Sequence, residues 1–255
     1  MQNTICRSKS TLHVAVGALF FILLFRVSIW GYPNVNEQIF LALNVLGAKG
    51  NWFWQNLTML GEGLVAFVLL ACFSPRDGRF VWILAIAAVI AGLSSQVLKH
   101  WLEMPRPAAI LEPGSFNLIG AELRSRAFPS GHATTAFLAA SMAAWRFPRL
   151  RIAAYVFFSC VAFSRIVVGA HWPLDVVAGS CLGFLSGQAA VAIAARYLKK
   201  VSLWAQYAAW LLLVALSLWL LVFHLDYPAA RLLTLSIGAS GVGTALVNIQ
   251  ALLFK

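Results

Sequence analysis

Charge is scarce in this chain, and negative charge is the scarcest. Only 11% of the residues are charged, and eight Asp and Glu face 19 Lys and Arg. Soluble domains carry about a quarter of their residues as charges, so an ordinary soluble domain is excluded. The few acids form no carboxylate cluster of the kind that suits Mg²⁺, and no metal and no cofactor is expected. Cysteine is also sparse. Cys6, Cys72, Cys160 and Cys181 lack metal-ligand spacing. None falls in a predicted outside loop, so no structural disulfide is expected. There is no low-complexity tract and no clear internal repeat. The longest polar stretch, 103–129, is too short and irregular for a separate domain.

What fills the chain instead is apolar sequence, 61% of the residues. A run of about 20 apolar residues crosses the hydrocarbon core as a helix. Residues 83–98, 201–223 and 232–254 are uncharged. The pattern predicts eight helices at 12–30, 53–73, 80–98, 130–145, 152–170, 174–195, 201–223 and 231–252. The fold expected is all-α: a polytopic helical membrane protein with a six-helix core over 1–198 and an added C-terminal hairpin over 199–255. The first apolar run has basic residues before it but no A-x-A cleavage pattern after it, which predicts a retained helix. Tryptophans near helix ends, such as Trp52, Trp101 and Trp204, fit an interfacial belt. Gly238, Ser240, Gly241 and Gly243 predict close packing of the last helix.

The net charge of +11 is explained by placement rather than by nucleic acid. With the N-terminus inside, the inside segments hold Arg7, Lys9, Arg76, Arg79, Arg146, Arg149, Arg151, Arg196, Lys199, Lys200 and Lys255. That bias follows the positive-inside rule. It places both termini in the cytoplasm and the loops after the first, third, fifth and seventh helices outside.

Three polar patches cluster at predicted outside helix ends. They are Lys99 through Arg106-Pro107, Pro129-Ser130-Gly131-His132, and Ser164-Arg165 followed by His171 and Asp175. Each has a bland reading: snorkelling cations, an N-cap, a surface histidine. Arg165 is harder to dismiss, since an ionisable group within an apolar span is a functional candidate. Together they suit phosphoryl transfer, which is mostly positioning and charge stabilisation. Lys99, Arg106 and Arg165 supply cations, and Arg grips two phosphate oxygens at once. Ser130 and Gly131 open a helix whose free N–H groups favour an anion. Two histidines suit a nucleophile and an acid. Asp175 follows His171 by four residues, with Pro173 between them acceptable in a first helical turn. That spacing lets the carboxylate orient the imidazole.

The pattern K-x6-R-P, P-S-G-H, S-R-x5-H-x3-D resembles the three-part signature of the type-2 phosphatidic acid phosphatase superfamily, in its membrane lipid phosphatase branch. All eleven specified residues are present with the right internal spacing. The resemblance covers roughly 53–195. It implies that His171 is the nucleophile, that His132 is the acid, that Lys99, Arg106, Ser130, Gly131 and Arg165 bind phosphate, and that no metal takes part. It implies a hydrolase that removes phosphate from a lipid phosphate or diphosphate through a phosphohistidine. Undecaprenyl diphosphate is the first-ranked substrate, and phosphatidylglycerophosphate or lipid A are the others. A phosphotransferase acting on another lipid, such as lipid A, is the runner-up. The expected setting is a bacterial inner membrane with the site facing the periplasm. Partners are membrane lipids, with no nucleic acid, and the oligomeric state is open. Glu62 is expected inside the second helix, lining the substrate cavity or making a structural contact. Gln96 is a candidate to orient Lys99, and Arg124 and Arg126 to attract a further anionic group. His100 and His224 read as interfacial.

Overall fold

A computed structural model of the chain describes residues 33–223 and 226–254. The predicted helix at 12–30, Cys6, Arg7, Lys9, His224 and Lys255 lie outside the described residues. Within them the protein is all-helical. The helices are α1 (Pro33–Asn44), α2 (Asn51–Met59), α3 (Gly63–Ala71), α4 (Arg79–Leu102), α5 (Pro107–Ile110), α6 (Gly131–Arg146), α7 (Arg151–Val167), α8 (Pro173–Tyr197), α9 (Leu203–Val222) and α10 (Arg231–Leu253). Among the described residues, five segments are long and apolar enough to cross a membrane, and α2 with α3 makes a sixth if the pair counts as one span. Only 28–39% of each of the five spans is buried inside the protein. The rest of their apolar surface faces outward, as a lipid solvent requires. This is a helical integral membrane protein.

Two elements differ from the sequence expectation. The helix predicted at 53–73 is broken at residues 60–62 and bent by 67°. Glu62 takes an extended conformation there, and its carboxylate accepts from the N–H groups of Leu64 at 2.8 Å and Val65 at 3.0 Å. It is the N-cap of α3, not a residue inside a helix. Gly61 fits because a Cβ there would press on the His132 carbonyl oxygen at 3.2 Å and on Val161 at 3.1 Å. The second difference is α1, which lies between the helices predicted at 12–30 and 53–73, where the sequence predicts no helix. Its buried Asn44 donates to the carbonyls of Asn117, Ile166 and Val167 and accepts from the Asn117 N–H at 2.7 Å. That gives the Val167 carbonyl at the C-terminus of α7 a partner and adds a second to the Ile166 carbonyl, which also accepts from the Gly169 N–H.

The centre of the bundle is α6 packed against α8. Gly179, Gly183 and Gly187 form a stripe on α8, four residues apart. A Cβ at Gly179 would collide with the Ser130 carbonyl oxygen, one at Gly183 with the Thr134 carbonyl oxygen, and one at Gly187 would lie 2.6 Å from the Ser141 side chain. Small residues at this spacing let helix backbones touch. The expected packing of α10 holds at Gly238 and Gly241, which meet Ser217 on α9. It does not extend to Gly243, which faces open space, or to Ser240, which is exposed. Cys72, Cys160 and Cys181 are free thiols.

Candidate active site

The three sequence patches meet at one end of the bundle. Ser130 caps α6, its Oγ accepting from the Ala133 N–H at 3.4 Å. The Ser130 N–H donates to the Asp175 carbonyl at 3.0 Å, which ties the start of α6 to the start of α8. Pro173 opens α8 at its first turn, where the missing N–H costs nothing. The Asp175 carboxylate then turns back. Its Oδ2 accepts from the Trp172 N–H at 3.0 Å and lies 3.4 Å from the Nδ1 of His171. Both side chains are buried.

His171 sits in the turn between α7 and α8. Its backbone N–H, like that of Ala170, donates to the Arg165 carbonyl. The chain gets there through Gly169, at φ +79°, where a Cβ would strike the Asn117 carbonyl oxygen and the Phe116 ring. Only glycine accepts both the conformation and the space. Burial, then the positive charges of Arg106, Arg165 and Lys99 and the nearby His132, push the His171 imidazole well below its ordinary value. It is therefore neutral at physiological pH, with Nδ1 beside the carboxylate and Nε2 left to act.

The cations are buried and held by backbone carbonyls and side-chain hydroxyls rather than by acids. Lys99, at the end of α4, donates from Nζ to the Arg126 carbonyl at 2.9 Å. Arg106 donates from Nε to Ser125 at 2.9 Å and from Nη1 to Ala170 at 3.2 Å. Arg165 donates from Nη1 to Thr58 Oγ1 at 2.7 Å and to Tyr227 Oη at 2.8 Å. Its Nε is buried and makes no hydrogen bond among the described residues. The three cations act on one another electrostatically, with Asp175 the acid among them. Such a centre has uncompensated positive charge and calls for an anion. Among the described residues, no group of three His, Cys, Asp or Glu side chains is arranged to hold a metal.

A cavity of about 330 Å³ opens beside this centre, between α3, α4 and α6. Lys99, Gly131, His132, Glu62 and Gln96 line its polar part, while Phe67, Leu70, Leu84 and Leu138 make the rest apolar. All eight sequence-predicted site residues thus converge. Gln96 lines the cavity, and its carbonyl accepts from the exposed His100 ring at 2.8 Å; among the described residues it makes no bond to Lys99. Arg124 is paired with Glu122 at 2.7 Å on the surface, and Arg126 is exposed. Their backbone carbonyls, not their side chains, serve the site. Sequence reasoning missed Thr58, Tyr227 and Asn44. Thr58 carried a weak signal as a polar residue one turn before Gly61. The other two had none, because their partners lie 62 and 73 or more residues away.

Residues 80–199 match the PAP2 superfamily model. A lipid A 1-phosphatase of Rhizobium johnstonii is 38% identical over 142 residues, covering 51% of this chain and 56% of that protein. An undecaprenyl-diphosphatase of Sulfolobus acidocaldarius is 34% identical over 110 residues, covering 41% of this chain and 52% of the relative. The chain thus spans only about half the length of these curated relatives. The crystal structure of Aquifex aeolicus LpxE superposes with a TM-score of 0.53 at 27% identity, covering 62% of this chain and 95% of that one. The signature and the converging cations lie within or beside the segment, residues 80–199, that matches the PAP2 superfamily model, and in that segment the chain is similar to membrane lipid phosphatases of that superfamily.

Proposed function

We propose that this protein is a metal-independent lipid phosphatase that works through a phosphohistidine on His171. The observation that carries the reading is the buried His171–Asp175 pair facing three cations beside a cavity that is polar at one end and apolar at the other. The cations and the N–H groups at the start of α6 hold the phosphate. His171 Nε2 attacks phosphorus, and the bond from phosphorus to the lipid oxygen breaks. His132 donates its proton to that leaving oxygen. Asp175 accepts the Nδ1–H and stabilises the positive charge that develops on the ring. Water, deprotonated by His132, then attacks phosphorus, the P–N bond breaks and inorganic phosphate leaves.

The cavity favours a monophosphate on a lipid. Glu62 lines it together with Lys99 and His132, and a carboxylate there repels a second phosphate group. The relative of higher identity is named for lipid A 1-phosphate hydrolysis. Both points support ranking such a phosphorylated saccharolipid ahead of undecaprenyl diphosphate, the first-ranked substrate from the sequence, which another relative's name supports as the second. Water is the expected acceptor rather than a second lipid. The bias of basic residues toward the inside segments supports a site at the periplasmic face and termini in the cytoplasm. An impermeant thiol reagent should label a cysteine at Ser115 and spare one at Ser74 in otherwise cysteine-free protein.

The deciding experiment measures phosphate release by the purified protein from lipid A, undecaprenyl diphosphate and phosphatidylglycerophosphate, with His171→Ala as control. We expect release to be fastest from lipid A and abolished in the folded variant. Full activity of His171→Ala would sink the mechanism, and label passed to a lipid without free phosphate would make the protein a transferase.

A further inference from the structure

Residues 203–253 lie beyond the segment matched to the family, yet the turn joining their two helices reaches the centre of the site. Tyr227, in that turn, is buried. Its hydroxyl accepts from Arg165 Nη1 at 2.8 Å, and the guanidinium carbon lies 6.0 Å from the centre of its ring. Thr58 Oγ1 accepts from the same Nη1 at 2.7 Å. The two N–H groups of Nη1 are thereby both engaged. The opposite edge of the guanidinium, made by Nε–H and Nη2–H, is the side-on fork that fits two phosphate oxygens, and its Nε is buried with no partner among the described residues.

The turn itself is fastened. The Ala229 N–H donates to Gln55 Oε1 at 3.0 Å, and Asn56 Nδ2 donates to the Ala229 carbonyl at 3.3 Å. Arg231 closes the end of α9 by donating to the carbonyls of Leu220, Leu221 and Phe223. Gly120, at φ +98°, leaves room for the Tyr227 ring: a Cβ there would lie 2.7 Å from it.

We propose that Tyr227 is a positioning residue for catalysis, contributed by the C-terminal hairpin, which with Thr58 locks the Arg165 guanidinium so that its Nε–Nη2 edge faces the phosphate. The hairpin is then part of the working site. This rests on the assignment of the site as a phosphate centre. Without the hydroxyl, Arg165 Nη1 keeps only one acceptor, Thr58, and the guanidinium can swing. The interaction with phosphate weakens most in the transition state, where charge on the equatorial oxygens is greatest.

The test compares full-length wild type, Tyr227→Phe, Arg165→Ala and the double variant in detergent. It reads kcat and KM for phosphate release, affinity for orthovanadate as a phosphate mimic, and melting temperature. Tyr227→Phe keeps the ring that packs on Gly120 and removes one hydrogen bond to a charged group. We expect kcat to fall about tenfold and vanadate to bind about tenfold more weakly, with KM within about twofold and Tm within about 2 °C. In the Arg165→Ala background Tyr227→Phe should change nothing further. Wild-type kcat and vanadate affinity in Tyr227→Phe would overturn the proposal, as would a loss that persists in full without Arg165. If the wild type binds vanadate but releases phosphate from no lipid, the lipid phosphatase reading fails while the vanadate measurements still decide the role of Tyr227. No vanadate binding by the wild type would overturn both.

Discussion

Gly183→Ala tests whether backbone contact between α6 and α8 sets the catalytic geometry. A Cβ at this position would collide with the Thr134 carbonyl oxygen and lie 2.8 Å from both Thr134 C and Leu138 N. These atoms belong to the helix backbone, so no side chain can step aside. Restoring ordinary contact requires the two helices to part by on the order of 1 Å, the usual response to overpacking, which costs about 1–3 kcal/mol. The displacement does not stay local. α6 begins with Gly131 and His132, and α8 carries Asp175 in its first turn, directly after His171. A relative shift of about 1 Å between His132 and His171 is enough to cost about 10²-fold in rate. Phosphate release and thermal melting of the purified variant give both quantities. Gly243→Ala is the control, because a Cβ there meets nothing within 4 Å; it should keep full activity and gain up to about 1 kcal/mol from helix propensity. Wild-type kcat and Tm in Gly183→Ala would show that the helix spacing does not hold the histidines in register.

Three further outcomes are expected. Glu62→Ala removes the acceptor for two N–H groups at the start of α3 and should lower stability by about 1 kcal/mol, seen as a lower Tm; Glu62→Gln, which can still accept, should retain most of it. Because His171 titrates well below its ordinary value near 6.5, it stays deprotonated and nucleophilic as pH falls through 6.5, so the acid limb of kcat/KM that it governs should lie below that pH. The same shift means that the unfolded chain binds the proton first, so stability should fall as pH drops below about 6.5 and be flat above it; flat stability from pH 7 to 5 would argue against a buried, neutral His171. Chelator should leave phosphate release unchanged and vanadate should inhibit, whereas activity lost in chelator and restored by Mg²⁺ would contradict the cation-based site.

Much of this protein was legible without coordinates. Apolar run length alone implied membrane-spanning helices, because the thickness of the hydrocarbon core is a fixed ruler. The spacing from His171 to Asp175 implied their contact, because a helix opening at Pro173 carries the Asp175 carboxylate in its first turn, within reach of a residue just before the helix. Lys99, Arg106, Ser130, Gly131, His132 and Arg165 could be named because phosphate chemistry needs those types and the signature holds them in order. The break at Glu62 was hidden, since apolar residues on both sides of 60–62 read as one continuous helix. Nothing in the periodicity of α8 says that Gly179 and Gly183 touch the backbone of α6, because a glycine's reason for being small is a neighbour from elsewhere in the chain. Tyr227 was the least visible. Its role depends on a hydroxyl placed 2.8 Å from an arginine 62 residues earlier, and only the folding of the last two helices onto the site creates that distance. Local chemistry and hydrophobic length are written along the chain; which groups share a proton, a phosphate or a helix face is decided by long-range packing.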